Sequence, residues 1–536
     1  MVYRPPAAFV RHLVDNGFAR HRPVEQRHSF SLHYLDLSSL RILAGHFTPF
    51  VVLNTLPATP ALDPSHLDAA VEELLVLRSS LLGEFVVFLV GSRVEPLPAR
   101  LLTRLHRHGV ALLDGSDFEA IEALCGDPDA RDRRLVAGLV RCLGRATLSP
   151  YRPGQPAFGE RFFGRDDAIK DALLGRGVAT LVGCRRIGKT SMLREISGRL
   201  RTEYRDRLRT ADVYGSEEHY RNPANVLSTI IEQLFIGQPD VERLATDPDL
   251  ERKFASFVRM LPDRAPRDAP RLELAVFIDE FDWLLELDAK REYALLKTLR
   301  SAFQGRAHCR LFLAGFRGVM KELSNASSEL HNFGTSIELE GLSRRDSTLM
   351  IRKPLRTLGV DIADEHVTLI YQQTKGRPEL IQLFCGELVT AADESGEVLS
   401  TANLMDRVVN STQFRAKIKS AFFSNANALE ELLSYLLVTR WETRGVPIDE
   451  FEFGFADADD LLMQCHVELD VMEIEQLLGN LRLLSVIESV RGAPRYRLAV
   501  PAFANYLLSQ DVRLLIRKAL RRVGARPTPG WSGAVN

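Results

Sequence analysis

The stretch LVGCRRIGKTSML, residues 181–193, decides how this chain is read. An apolar run ends at Gly183, four residues intervene, and Gly188-Lys189-Thr190 opens a helical pattern. That is G-x-x-x-x-G-K-[ST] in the setting it requires, after a strand and before a helix. Glycines let the backbone turn so that successive N–H groups face an anion, and the positive end of the following helix adds to the attraction. The pattern makes Gly183, Cys184, Arg185, Arg186, Ile187, Gly188, Lys189, Thr190 and Ser191 a nucleotide-binding loop. Lys189 is expected on the β- and γ-phosphates and the Thr190 hydroxyl on Mg2+. Arg185 and Arg186 are expected to flank the nucleotide or an inter-domain surface, because such a loop binds phosphate mainly through its backbone.

A site of this kind needs a second strand that ends in carboxylates. LELAVFIDEFDWLL, residues 272–285, supplies it with Asp279 and Glu280 after an apolar run. Asp279 is expected to orient Mg2+ and its waters, and Glu280 to polarise the attacking water. An Asp-Glu pair favours hydrolysis of ATP over nucleotide storage. Asp282 reads as a solvated residue at a helix start.

Working outward, 536 residues are too many for one core, so several domains are expected. A hydrophobic share of 45% and a charged share of 26% are those of an ordinary globular protein, and a net charge of −1 exerts no overall pull toward nucleic acid or membrane. Six scattered cysteines without a C-x-x-C pair argue against a disulfide framework or zinc site and fit a reducing, cytoplasmic setting. No apolar run reaches the length of a membrane span, and the N-terminus lacks a signal-peptide pattern.

The fold class expected is α/β multidomain. Residues 1–146 form a small N-terminal α/β domain: FVVLN (50–54), FVVFLV (85–90) and VALLD (110–114) read as parallel strands separated by amphipathic helices. Residues 147–342 form the P-loop core, entered through the Pro- and Gly-rich segment 147–165. Its strands are VATLV, TADVY, LAVFID, RLFLAG and SIELEGL. Residues 343–425 read as a helical lid, 426–510 as a winged helix with the hairpin SVIESV-RGAP-RYRLAV, and 511–536 as a basic amphipathic tail packing Leu514, Leu515 and Leu520.

These motifs, in this order, resemble the STAND-type signal-transduction ATPases of the archaeal-ATPase-like branch, relatives of AAA+ proteins, over roughly 155–510. RFFGRDDAI is similar to that family's box before the first strand, which implies Phe163 and Gly164 near the adenine and Arg165 at its rim. LFLAGFRGVMKEL is similar to the sensor strand, which implies Arg317 as a phosphate sensor; an exposed loop arginine is the equal alternative. TKGRPELIQLFCGELV resembles the lid motif Gly376-Arg377-Pro378, which implies Arg377 and Pro378 beside the nucleotide. The resemblance implies ATP and Mg2+ as cofactors and a nucleotide-driven switch that self-associates when ATP is bound. Where many members carry a Met-His-Asp element, VPAFANYLL (500–508) has no histidine.

The alternative reading is a DNA-binding ATPase resembling origin-recognition initiators or a transcriptional regulator. The expected recognition helix DVMEIEQLLGNLRLL carries Asp470, Glu473 and Glu475 against Arg482 alone, which is the wrong sign for a phosphate-lined groove. The wing (Arg491, Arg495, Arg497) and the tail (Arg513, Arg517, Lys518, Arg521, Arg522) are basic, so DNA contact there is weighed but not favoured. Residues 1–150 hold eight histidines and no lysine, which disfavours a nuclease; Asp114 reads as a strand-end cap. The N-terminal domain is expected to sense or bind a protein partner.

Overall fold

The computed structural model describes residues 19–26, 30–37, 41–44, 48–53, 64–77, 86–89, 103–105, 107–113, 117, 128–175, 177–264, 271–306, 308–395, 402–424, 426–490 and 492–524. Asp114 and Arg491, singled out above, lie outside them. Two compact units result: residues 1–153, 345–371 and 381–414 in the first, and 154–344, 372–380 and 415–536 in the second. The segment expected as one lid is thus shared between them.

In the first unit, β1 (Ala19–Gln26), β2 (Phe30–Leu37), β3 (Thr48–Leu53), β4 (Val86–Leu89) and β5 (Val110–Leu113) form one sheet in that order. The three apolar runs pair in parallel as β3, β4 and β5, as their continuous hydrophobicity predicts. β1 and β2 add an antiparallel hairpin with a bulge between Arg22 and Glu25, which the weaker apolar pattern there did not announce. Helices α1 (Pro64–Leu77) and α2 (Pro128–Leu143) accompany the sheet. Arg141 of α2 holds the buried carboxylate of Asp117 at 2.7 Å, and Tyr151 donates a buried hydrogen bond of 2.7 Å to Ile351 O.

The second unit is built on β6 (Val178–Val182), β7 (Leu208–Tyr214), β8 (Glu273–Asp279), β9 (Cys309–Gly315) and β10 (Thr335–Glu338). All are parallel, in the order β10-β6-β9-β8-β7. Central strands of such a sheet are covered on both faces, so β6, β8 and β9 are apolar and buried almost throughout. Stacked rings of Phe277 and Phe312, with centroids 5.0 Å apart, join β8 to β9. Because the strands run the same way, the carboxyl ends of β6, β9 and β8 come together at one edge, where open α/β sheets form their binding crevice. Helix α3 (Asp166–Leu174) precedes β6, α4 (Lys189–Tyr204) follows the loop, α5 (Phe281–Ala289) follows β8 and α6 (Arg317–Ser324) follows β9.

The same unit ends in a helix-and-hairpin module. It holds α8 (Ala428–Arg444), α9 (Phe455–Met463), α10 (Val471–Leu483), α11 (Pro501–Leu508) and α12 (Val512–Val523), and α7 (Pro378–Ser395) begins ahead of it. The expected hairpin is β12 (Ile487–Ser489) with β13 (Tyr496–Leu498), and a short β11 (Glu452–Phe453) adds to its edge. Full capping boxes, Asn427 with Glu430 and Asp470 with Glu473, start α8 and α10. In α12 the buried residues are Ile516, Ala519 and Leu520, whereas Leu514 is exposed; the helical stripe is therefore rotated from the Leu514–Leu515–Leu520 face expected. Among the described residues no helix is long and apolar enough to cross a membrane.

Candidate nucleotide site

The loop between β6 and α4 follows from its two glycines. A Cβ on Gly183 would lie 2.8 Å from Ile187 Cγ2 and 3.0 Å from Leu339 O, so only glycine lets the chain pass there. Gly188 has φ +107°, a backbone open to glycine and costly for other residues, and stands as the N-cap of α4. The Gly183 N–H donates to Gly315 O at 3.3 Å, tying the loop to the end of β9. Arg165 braces it from outside, its guanidinium donating to Ile187 O at 2.9 Å and Glu340 O at 2.7 Å. Phe163 and Gly164 stand beside it in the chain, half-buried. Ser191 Oγ accepts from the Ala157 N–H at 3.0 Å and so anchors the entering segment.

The two halves of the motif meet. Thr190 Oγ1 donates to Asp279 Oδ2 at 2.5 Å, although 89 residues separate them. Asp279 is 5% exposed, and its other oxygen accepts from the Glu280 N–H at 2.9 Å. A hydroxyl and a carboxylate converging at the N-terminus of α4 form the hard-oxygen donor set that a divalent cation takes beside phosphate. Among the described residues no group of three or more His, Cys, Asp or Glu could hold a metal, so this pair would need phosphate oxygens to complete the shell. Glu280 adopts φ +51° at the N-cap of α5, and its exposed side chain lines a cavity of about 830 Å³ together with Arg185, Lys189, Asp282 and Arg317.

Lys189 Nζ donates to Gly183 O at 2.8 Å and Cys184 O at 3.0 Å. Burial pushes its ammonium below the ordinary 10.5, while Cys184, Asp279, Asp282 and Glu280 pull it back. Phosphate oxygens would raise it further. At alkaline pH, between the lowered value and 10.5, nucleotide binding is therefore expected to take up a fraction of a proton. Calorimetry in buffers of different ionisation enthalpy measures this, and proton release in that window would place Lys189 away from the phosphates.

Three arginines are decided by partners far along the chain. Arg186, at φ +65°, reaches Glu379 in the first turn of α7 at 2.6 Å. Burial raises the Glu379 carboxyl and Arg186 lowers it again. Arg317 pairs with Glu430, which is fully buried in the first turn of α8. Arg377 corrects the expectation of a nucleotide contact. It is 2% exposed, donates to Leu484 O at 2.7 Å and Ala421 O at 3.0 Å, and lies 4.2 Å over the Phe422 ring. It rivets the turn before α7 to the C-terminal module, and Pro378 is simply the first residue of α7.

Asp282 is also corrected. Its carboxylate accepts from the Phe316 N–H at 2.6 Å and the Val319 N–H at 3.2 Å, so it caps α6 and fixes the turn that carries Arg317. The repeat of an acid two positions after Glu280 was visible in the sequence, but not its destination. Glu379 and Glu430 were missed altogether. Glu430 had one local sign, the Asn-x-x-Glu spacing of a capping box, which explains its backbone bonds but not its arginine.

Loop, carboxylate strand and strand order define a P-loop NTPase. Residues 147–403, just under half of the chain, match the family model described as novel STAND NTPase 1. Among solved structures, the Walker-type ATPase PABY2304 of Pyrococcus abyssi is similar at 16% identity over 67% of this chain and 99% of that one, with a TM-score of 0.45. The Aeropyrum pernix ORC2 protein, solved in ADPNP and ADP complexes, is similar at 17% identity over 70% of this chain and 98% of that one, with a TM-score of 0.43. Drosophila ORC bound to DNA follows at 14% identity, 72% and 92% coverage and a TM-score of 0.36. No curated protein matches the chain by sequence.

Proposed function

We propose that this chain is a slow, Mg2+-dependent ATPase that works as a molecular switch: ATP binding rearranges the C-terminal module and favours self-association, and hydrolysis resets it. The protein partner would act through the N-terminal α/β unit, in the cytoplasm. The observation that carries the reading is the Arg317–Glu430 ion pair, which runs from the cavity beside Lys189 and Glu280 to the first turn of α8. A γ-phosphate arriving in that cavity would compete with Glu430 for Arg317. A buried carboxylate deprived of its cation is costly, so the module that carries Glu430 would have to move. The Arg186–Glu379 ion pair supports a second exchange of the same kind. A divalent cation on Thr190 and Asp279 would neutralise phosphate charge; Glu280 would take the proton of the attacking water.

Glu430→Gln keeps the capping geometry and removes the competing charge. It is expected to raise the affinity for ATP relative to ADP about tenfold, the worth of one charge-assisted hydrogen bond. Titration of both nucleotides on the variant checks this, and an unchanged ATP/ADP ratio would remove Arg317 from the switch.

The DNA-binding reading loses ground at the wing. Arg495 pairs with Glu452 at 3.4 Å, and Arg497 with Glu488 at 2.5 Å. Two of the three cations counted on for phosphate contact are thereby neutralised within the chain.

A further inference from the structure

Two exposed faces of the C-terminal module complement each other in charge and in apolar character. We propose that they meet between copies of this chain, the turn between α9 and α10 of one copy docking on helix α12 of the next. The inference rests on the self-association proposed above and names its surface.

The first face is acidic and apolar. Met463 closes α9, and Val471 and Met472 open α10, with exposures of 52%, 61% and 79%. Glu468, Asp470, Glu473 and Glu475 surround them, all exposed. Asp470 and Glu473 serve each other's backbone in the capping box, and none of the four has a cationic partner among the described residues. Methionines suit such a surface because their flexible, polarisable side chains adapt to the shape presented.

The second face is its opposite. On α12, Ile516, Ala519 and Leu520 are buried, which turns Arg513, Arg517, Lys518 and Arg521 outward around the exposed Leu514. Arg522 is paired with Glu431 of α8 at 2.8 Å; the other four cations have no acidic partner among the described residues. Arg513, Arg517 and Arg521 recur every fourth residue, so they stand in one row on the helix. Like charges at that spacing destabilise a helix. An acidic surface laid along the row would reverse the sign of that term. Among the described residues no ion pair joins the two faces within one copy, and a net charge of −1 gives the chains no general attraction, so the match has to be local.

The contact joins different surfaces of the two copies. Such a contact can repeat from copy to copy into a ring or a head-to-tail chain, or close reciprocally within a two-fold dimer.

Light scattering on the full chain, in ADP and in a non-hydrolysable ATP analogue, tests the surface. Reversing the basic row (Arg513→Glu, Arg517→Glu, Arg521→Glu) and reversing the acidic face (Glu468→Lys, Glu475→Lys) are each expected to weaken association by at least about tenfold. Both sets in one chain restore it, because the charges are again opposite. Unchanged nucleotide affinity in all three variants shows that they remain folded. Association that survives either reversal, or a double variant that stays dissociated, overturns the surface while leaving the switch standing. A wild-type chain that is monomeric in both nucleotides overturns self-association itself. Loss of short-duplex binding in the basic-row variant, with association intact, assigns α12 to nucleic acid instead.

Discussion

Lys189→Ala is expected to abolish nucleotide binding at ordinary ligand concentrations. The ammonium sits inside the loop, 2.8 Å from Gly183 O, on the first residue of α4. Removing it costs the charge-assisted bonds to phosphate, about 3 kcal/mol or more, which is a loss of at least a hundredfold. It also removes the side-chain donor to the Gly183 and Cys184 carbonyls, leaving Cys184 O with only the Ile187 N–H at 3.4 Å, so the loop itself becomes less ordered. Fluorescent-nucleotide titration reads the loss directly. Retention of wild-type affinity would mean that the phosphates are held elsewhere, and the proposed site would have to be abandoned.

Glu280→Gln separates binding from chemistry. The backbone that shapes the site is held by Asp279, whose Oδ1 takes the Glu280 N–H, so the substitution leaves Thr190 and Asp279 in place. Without its carboxylate the site cannot accept the water's proton, and turnover is expected to fall between a hundredfold and ten-thousandfold, the usual worth of a general base. ATP affinity should stay within about twofold, and the ATP-bound, associated state should accumulate. The two measurements are single-turnover hydrolysis and particle size in ATP. Equal hydrolysis by wild type and variant would withdraw the role from Glu280.

Much of the fold is legible in the sequence, for a physical reason that differs by position. Strands β6, β8 and β9 are apolar over whole runs because both faces of the sheet are covered, and a pattern of that kind survives in one dimension. The edge hairpin of β1 and β2 is half polar and left no comparable trace. Asp282 shows the opposite case: its type and place at a helix start were read correctly, yet it caps the N-terminus of α6 rather than facing water.

What the amino-acid order determined by itself was the glycine-framed loop between β6 and α4 and the acidic strand end that meets it. An anion-binding turn is made from consecutive backbone N–H groups, so its requirements, space at Gly183 and a positive φ at Gly188, are written in adjacent letters. The partners of the arginines were decided only by tertiary structure. Arg186 and Glu379 are 193 positions apart, Arg317 and Glu430 113, and Arg377 and the Leu484 carbonyl 107. A guanidinium on a long, flexible stem can satisfy itself on phosphate, carboxylate or carbonyl alike, and only the path of the chain brings one of these within its reach.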